Sequence, residues 1–154
     1  MTRFRFALAV ALCAALPTIA AAADPFDGTW QLNTAKSKYE PGPAPEKATV
    51  AIQSDGATWT VKTESTFEGK PYTVTYKVTL DGTPAPIQGS PVADMVSVKK
   101  VDDRTREMKT TKAGSPVSES RATVSADGKT ATVTGSGLTP NGTKTTFTAV
   151  YEKQ

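Results

Sequence analysis

Residues 71–80 alternate between apolar and polar side chains without interruption. Successive side chains of a β-strand point to opposite faces, so this period of two predicts a strand with one buried face and one face in water. No stretch after residue 23 shows apolar residues at helical spacing for more than about one turn. The sequence therefore predicts an all-β fold. The predicted inward residues of this strand are Tyr72, Val74, Tyr76, Val78 and Leu80.

Other segments show a similar pattern between turn residues such as Asp55-Gly56 and Asp81-Gly82. In residues 58–67, Trp59, Val61 and Phe67 are predicted to face inward. Proline lacks the backbone N–H that a central strand needs, so two proline-rich segments, 41–45 and 83–91, are predicted connections. The predicted strands number about nine: 28–34, 49–54, 58–67, 71–80, 95–101, 104–112, 117–125, 130–135 and 143–153.

Short turns between consecutive strands predict an antiparallel up-and-down meander of about eight to ten strands. A sheet of this size removes its exposed edges by closing on itself. We therefore expect a closed barrel, with a flattened β-sandwich as the alternative. The predicted domain spans residues 24–154, which is long enough for one hydrophobic core.

The first 23 residues have the composition of a cleaved secretory signal. A basic start with Arg3 and Arg5 leads into an apolar run at 6–16 and a small-residue stretch that ends at Ala23. The apolar run is shorter than the roughly 20 residues of a membrane-spanning helix. We expect an exported protein, periplasmic or secreted, with no stable membrane insertion. Leu12 precedes Cys13 where a lipoprotein signal has a small residue, so lipid attachment at Cys13 is not expected.

The charge and composition of the predicted mature chain exclude several classes of function. Loss of residues 1–23 removes two of the eighteen basic residues and none of the fifteen acidic ones, so the net charge falls from +3 to about +1. A nucleic-acid partner, which needs a clustered basic face, is not expected. The chain has no histidine, and its one cysteine is Cys13, so the predicted mature domain has no disulfide and relies on its core.

The same composition argues against an enzyme. The usual general base at neutral pH and the common zinc ligands are absent, and no glycine-rich phosphate loop exists. Ser37 lies between Lys36 and Lys38, but adjacent side chains of extended chain point apart. Asp102-Asp103 lacks the spacing of a calcium loop and is more typical of a turn. We predict no catalytic residue, no metal site and no cofactor.

Several motifs carry a family resemblance. Gly28-x-Trp30, preceded by Phe26, resembles the Gly-x-Trp opening of lipocalins and their calycin relatives. The mature chain is also similar to small exported bacterial lipocalin-like proteins of unsettled function in its Lys36-Ser37-Lys38-Tyr39, Gly89-Ser90-Pro91, Asp102-Asp103-Arg104-Thr105, Asp127-Gly128-Lys129-Thr130 and Val150-Tyr151-Glu152-Lys153 segments. The resemblance implies a lipocalin-like barrel in which Phe26, Gly28 and Trp30 form a structural plug at one end.

The sequence departs from the lipocalin pattern at one point. In typical lipocalins a late arginine lies over the first-strand tryptophan, as a cation on an aromatic face. Here the final strand offers only Lys144 and Lys153. Two alternatives follow: a lysine takes this role, or the barrel end is closed differently.

The predicted function rests on the size of the inward residues. Early strands direct large side chains inward, and late strands direct small ones, such as Ser118, Ser120 and Ala131. This mismatch predicts either a flattened barrel or room for a small, mostly apolar ligand. The alternative is a solid barrel, an envelope or interaction protein acting through its outer surface and the 83–91 loop, with no protein partner indicated. The candidate ligand-binding residues are Trp59, Phe67, Tyr72, Tyr76, Ala122, Val124, Val133 and Tyr151.

Overall fold

The computed structural model describes residues 22–154, so all but the last two residues of the predicted signal segment, 1–23, lie outside the described part of the chain. This part of the chain forms eleven β-strands and one short 3-10 turn at Thr34–Lys36. The strands are β1 (Gly28–Leu32), β2 (Lys38–Glu40), β3 (Lys47–Ser54), β4 (Thr58–Phe67), β5 (Lys70–Thr79), β6 (Ala85–Gln88), β7 (Met95–Asp102), β8 (Thr105–Lys112), β9 (Ser115–Val124), β10 (Thr130–Leu138) and β11 (Lys144–Lys153).

Ten of these strands close into an antiparallel barrel. Their order is β1-β3-β4-β5-β6-β7-β8-β9-β10-β11, and β11 returns to pair with β1, with Trp30 opposite Lys153 and Leu32 opposite Tyr151. Closure satisfies the backbone groups that two open edges would leave unpaired. The predicted all-β, up-and-down barrel is confirmed, and the flattened sandwich is not adopted.

After β1 the chain leaves the closed ring of strands and returns to pair with the outer side of the sheet order, next to β11. The prediction of a first strand over residues 28–34 ran slightly too long, because Asn33 caps a 3-10 turn with its side chain and ends β1 at Leu32. The chain then returns as β2, which pairs with β11 through Tyr39 opposite Phe147. β2 is the one described strand that lies outside the closed ring.

The segment 83–91 differs from its prediction as a plain connection. It contains the short strand β6, in which Pro86 lies opposite Met95 of β7. β6 shares only two residue pairs with β5 and two with β7. A strand this short tolerates a proline because few ladder hydrogen bonds depend on it.

The late strands direct their small side chains inward, as predicted. On β9, Ala122 and Val124 are buried while Arg121 and Thr123 are exposed. Across from them, β10 approaches β9 so closely that a Cβ atom on Gly135 would collide with the Glu119 carbonyl oxygen. One wall of the barrel is therefore made of small residues held close together.

The interior contains a large and a small cluster of buried apolar residues. The large cluster includes Trp30, Trp59 and Val98, and the small one consists of Leu32, Ala48 and Ala149. Val133 and Tyr151 pack against both clusters and so join them. Within residues 22–154, no helix has the length and hydropathy to cross a membrane.

Candidate functional site

An internal cavity of about 190 Å³ lies inside the barrel. Five of the predicted ligand-binding residues line it, and they come from both the early and the late strands: Trp59, Tyr76, Ala122, Val133 and Tyr151. Strand pairing explains how β9, β10 and β11 meet there, since Val133 lies opposite Ala122 on one side and Ala149 on the other. Alternation in each strand then directs Ala122, Val133 and Tyr151 to the same inner face.

The rest of the cavity wall is apolar except for one hydroxyl. Phe26 and Trp30, predicted as the structural plug, both contribute side chains to it. Gly28, the third residue of that prediction, adopts a φ of +119°, and a Cβ there would lie 2.9 Å from Lys153 Cε. The remaining lining residues, which the sequence did not single out for this site, are Val50, Ile52, Thr63, Met108 and Ala131.

Three predicted ligand-binding residues do not line this cavity. Phe67 is buried, but it lies eight positions beyond Trp59 on β4, which is roughly 26 Å along a strand. Tyr72 pairs with Ser65 near that same end of the sheet. Val124 is buried in the large cluster beyond Ala122, and its backbone N–H donates to the Arg104 carbonyl. All three were predicted inward. Phe67 and Tyr72 lie at a different level of the barrel from the cavity, whereas Val124 lies opposite the lining residue Ala131 without lining the cavity itself.

Two phenol groups supply most of the polarity of the cavity. Burial raises the pKa of Tyr76 to about 12. Burial also raises the pKa of Tyr151, and the neighbouring phenols Tyr39 and Tyr76 raise it further. Both side chains therefore keep their protons at neutral pH. Among the described residues, none forms a hydrogen bond with either phenol oxygen.

A buried ion pair lies behind the aromatic wall of the cavity. Arg106 is 1% exposed, and its Nη2 is 3.1 Å from Asp24 Oδ2. Asp24 also accepts hydrogen bonds from Trp59 Nε1, the Phe26 backbone N–H and Ser54 Oγ. We call these five residues the Asp24 cluster. The sequence prediction missed it, because a charged residue on an alternating strand is expected to face water.

Several contacts determine the ionisation of the Asp24 cluster. Burial by itself would raise the pKa of Asp24, but hydrogen bonds from Trp59 and Phe26 and the charge of Arg106 outweigh it and lower the pKa below 3.8. The Arg106 guanidinium also lies over two aromatic rings, 4.9 Å from the Phe26 centroid and 5.4 Å from the Trp59 centroid. Its Nη1 donates to the Asp102 carbonyl at 2.6 Å. The charge of Arg106 is thus neutralised away from the cavity.

A lysine covers the first-strand tryptophan. Lys153 Nζ lies 5.0 Å from the centroid of the Trp30 ring and 3.3 Å from the Pro25 carbonyl oxygen. Trp30 is 2% exposed, and its indole N–H donates to the Phe26 carbonyl at 2.8 Å. Of the two sequence-level alternatives, the structure shows the first: the final strand places a lysine where typical lipocalins have an arginine.

A second, outer cavity of about 240 Å³ adjoins the inner one. Tyr76 and Met108 line both cavities, so their side chains form the partition between them. The outer cavity extends to Leu138, which is 38% exposed. Ser118 and Ser120, predicted as part of the small-residue wall, line this outer cavity. The barrel interior is therefore divided into two compartments by two side chains.

The motifs considered for catalysis have structural partners. Ser37 Oγ donates to the Asn33 carbonyl and accepts from the Val150 backbone N–H, so it holds the 3-10 turn to β11. Asp102 Oδ1 accepts from the Arg104 backbone N–H, as a turn residue does. Within the described part of the chain, no group of three or more histidine, cysteine, aspartate or glutamate side chains is arranged to hold a metal ion.

The fold matches that of known binding proteins. No protein-family profile and no curated protein sequence matches the chain. A Schistosoma mansoni fatty acid binding protein in complex with arachidonic acid superposes with a TM-score of 0.52 at 18% identity, covering 84% of this chain and 96% of the other.

Two further solved structures are similar. The zebrafish ileal bile acid-binding protein complexed with cholic acid has a TM-score of 0.54 at 13% identity, over 84% of this chain and 99% of that one. Rv2717c from M. tuberculosis has a TM-score of 0.50 at 12% identity, over 84% and 93%. Likenesses at these identities show the fold alone, a closed antiparallel β-barrel.

Proposed function

We propose that this chain is an exported, non-enzymatic protein that binds a small, mostly apolar molecule inside its barrel. The observation that carries the proposal is the inner cavity of about 190 Å³, lined mainly by aromatic and aliphatic side chains. Small-molecule sites are typically concave and apolar, with a few placed polar groups. Tyr76, Tyr151 and Thr63 are such groups here. The fatty-acid and bile-acid ligands of two structural neighbours support the same use of the barrel.

The cavity volume limits the size of the ligand. Drug-sized ligands occupy pockets of about 300 to 1,000 Å³, whereas an engineered apolar cavity of about 150 Å³ binds benzene. At about 190 Å³ the inner cavity matches a molecule built on a single ring. A longer molecule would need the outer cavity as well, and Tyr76 and Met108 stand between the two.

Titration with an apolar fluorescent probe tests the proposal. We expect saturable one-to-one binding and a change in tryptophan emission, because Trp30 and Trp59 both line the cavity. Ala122→Phe should abolish this binding by filling the space. Thr123→Phe is the matched control, since it places the same ring on the exposed side of β9. Absence of saturable binding to the unmodified protein would overturn the proposal and favour the surface-interaction alternative.

The cellular location is tested separately. We propose that the leader is removed after Ala23, which leaves Asp24 as the first residue of a periplasmic or secreted protein. Intact mass spectrometry of the exported protein should give the mass of residues 24–154. A diacylglycerol adduct on Cys13, or retention of the first 23 residues, would contradict this.

A further inference from the structure

We propose that the inner cavity selects uncharged molecules with one hydrogen-bond acceptor, which Tyr76 and Tyr151 recognise by donating from their phenol groups. This inference rests on the proposed function and specifies its ligand class. A simple ketone or aldehyde on a single ring has the required chemistry.

The absence of charge around the cavity is the first argument. Every residue that lines it is uncharged at neutral pH. The nearest inward cation, Arg106, lies behind the Phe26 and Trp59 rings and is paired with Asp24. A carboxylate in the cavity would be buried without a counter-charge, and the loss of its hydration is costly. The site therefore rejects anions although the interior contains an arginine.

The supply of hydrogen-bond donors is the second argument. Both indole N–H groups at the cavity are already used, since Trp30 Nε1 donates to the Phe26 carbonyl at 2.8 Å and Trp59 Nε1 donates to Asp24 at 2.9 Å. The two phenols have no hydrogen-bond partner among residues 22–154, and their raised pKa values keep them protonated. Tyr76 and Tyr151 are partly buried and line the cavity, so each hydroxyl is open to it and can donate to an acceptor on a ligand.

The position of the phenols is the third argument. Tyr76 lies on β5 and Tyr151 on β11, which are far apart in strand order, yet Tyr76 is close enough to add to the rise in the pKa of Tyr151 that burial and Tyr39 cause. Both face the same cavity. One acceptor atom with two lone pairs, such as a carbonyl oxygen, can accept from both donors.

Three single-ring molecules of similar size separate these effects at about pH 7: ethylbenzene has no acceptor, acetophenone has a neutral one, and benzoate carries a charge. Each is titrated against the full mature chain by displacement of the fluorescent probe. We expect acetophenone to bind about 5- to 10-fold more tightly than ethylbenzene, the gain of one net hydrogen bond. Benzoate should bind at least about 100-fold more weakly than acetophenone, because its charge is buried unpaired.

Tyrosine variants test which groups donate. Tyr76→Phe and Tyr151→Phe should each reduce the acetophenone advantage over ethylbenzene, with both affinities measured on the same variant, to about 2-fold or less. Tyr72→Phe is the matched control, because Tyr72 lies on the same strand as Tyr76 but does not line the cavity. The denaturant unfolding midpoint of each variant shows that it remains folded.

The outcomes distinguish this inference from the function on which it rests. Binding of ethylbenzene with benzoate as tight as acetophenone would support a cavity for apolar ligands and overturn the selection of uncharged ones. Retention of the acetophenone advantage in both cavity variants would overturn the role of the phenols. If the probe binds but none of the three molecules displaces it, the ligand class proposed here is overturned; if the probe itself does not bind, the proposed function is overturned.

Discussion

Two groups of polar side chains inside the same barrel differ in how many hydrogen bonds they form. In the Asp24 cluster, one carboxylate accepts from an arginine, an indole, a hydroxyl and a backbone N–H. At the inner cavity, which the Phe26 and Trp59 side chains also line, two phenols have no partner among the described residues. The Asp24 carboxylate is thus saturated, although Arg106 Nε is buried without a hydrogen-bond partner, whereas a phenol beside empty space is available to a ligand.

The largest expected effect on stability comes from the removal of Arg106 from the Asp24 cluster. Arg106→Ala should lower the free energy of unfolding by about 4 to 5 kcal/mol, because it leaves the Asp24 carboxylate buried without its counter-charge and removes contacts with two aromatic rings. Denaturant unfolding measures this change. By contrast, Tyr151→Phe should change stability by less than about 1 kcal/mol, since no hydrogen bond is lost.

The double variant Asp24→Asn/Arg106→Met sharpens this test. Replacing both members of a buried ion pair by uncharged groups often costs far less than removing one. We therefore expect the double variant to be clearly more stable than Arg106→Ala. A cost for Arg106→Ala below about 1 kcal/mol would mean that the cluster is accessible to water in solution.

The aromatic residue under Lys153 should show a somewhat smaller effect. Trp30→Ala should cost about 3 kcal/mol, the lower end for a buried tryptophan, because one side of its ring already faces the empty inner cavity. A denaturant midpoint nearly equal to that of the unmodified protein would contradict the burial of Trp30 at the end of the barrel.

Acid should change the contribution of Asp24 to stability, whereas only strongly alkaline pH should ionise the phenols at the cavity. The pKa of Asp24 is lowered in the folded state, so its contribution to stability is present above about pH 4 and is lost as the pH falls through the lower folded value. Unfolding free energies of the unmodified protein and Asp24→Asn should therefore converge as the pH drops from about 6 to below 3.8. A difference that stays constant over this range would exclude an ionised Asp24.

Ligand binding should not follow that acid-dependent change. Burial raises the pKa of Tyr76 to about 12, so the affinity for acetophenone should be constant from about pH 6 to about pH 9. A loss of affinity near neutral pH would show that another ionising group controls the cavity.

The smallest expected effect is that of the lysine over Trp30. Lys153→Met should lower stability by about 0.5 to 1 kcal/mol, the usual value for an exposed cation on an aromatic ring. Lys144→Met is the matched control, because it removes an exposed lysine at the other end of the same strand. Equal effects of the two substitutions would show that the contact with Trp30 contributes nothing measurable.

Much of the barrel could be read from local patterns, because alternation directly encodes which face of a strand is buried. This explains why Trp59, Tyr76 and Ala122 were predicted inward and lie at the cavity. Phe67 is buried like these residues but does not line the cavity, since the level of a residue along the barrel depends on strand register and tilt. The alternation of apolar and polar residues does not by itself indicate the level of a residue along the barrel.

The polar interior could not be predicted from the same pattern. Arg106 and Asp24 are 82 positions apart, and each has the composition of a surface residue. Only the closed barrel brings them together and surrounds them with Phe26 and Trp59. Similarly, the cavity boundary at Met108 depends on how β8 packs across the interior, which local sequence does not specify.

Because Tyr76 and Met108 lie between the two cavities, they should affect the rate of ligand exchange more than the affinity for the ligand. If a ligand reaches the inner cavity from the side of Leu138, it passes these two side chains, and each passage waits for them to rotate aside. Entry and exit then share one barrier, so a smaller side chain at Met108 should speed both by a similar factor and change the equilibrium constant much less. Residence time in this barrel would thus be controlled by a residue that contributes little to affinity.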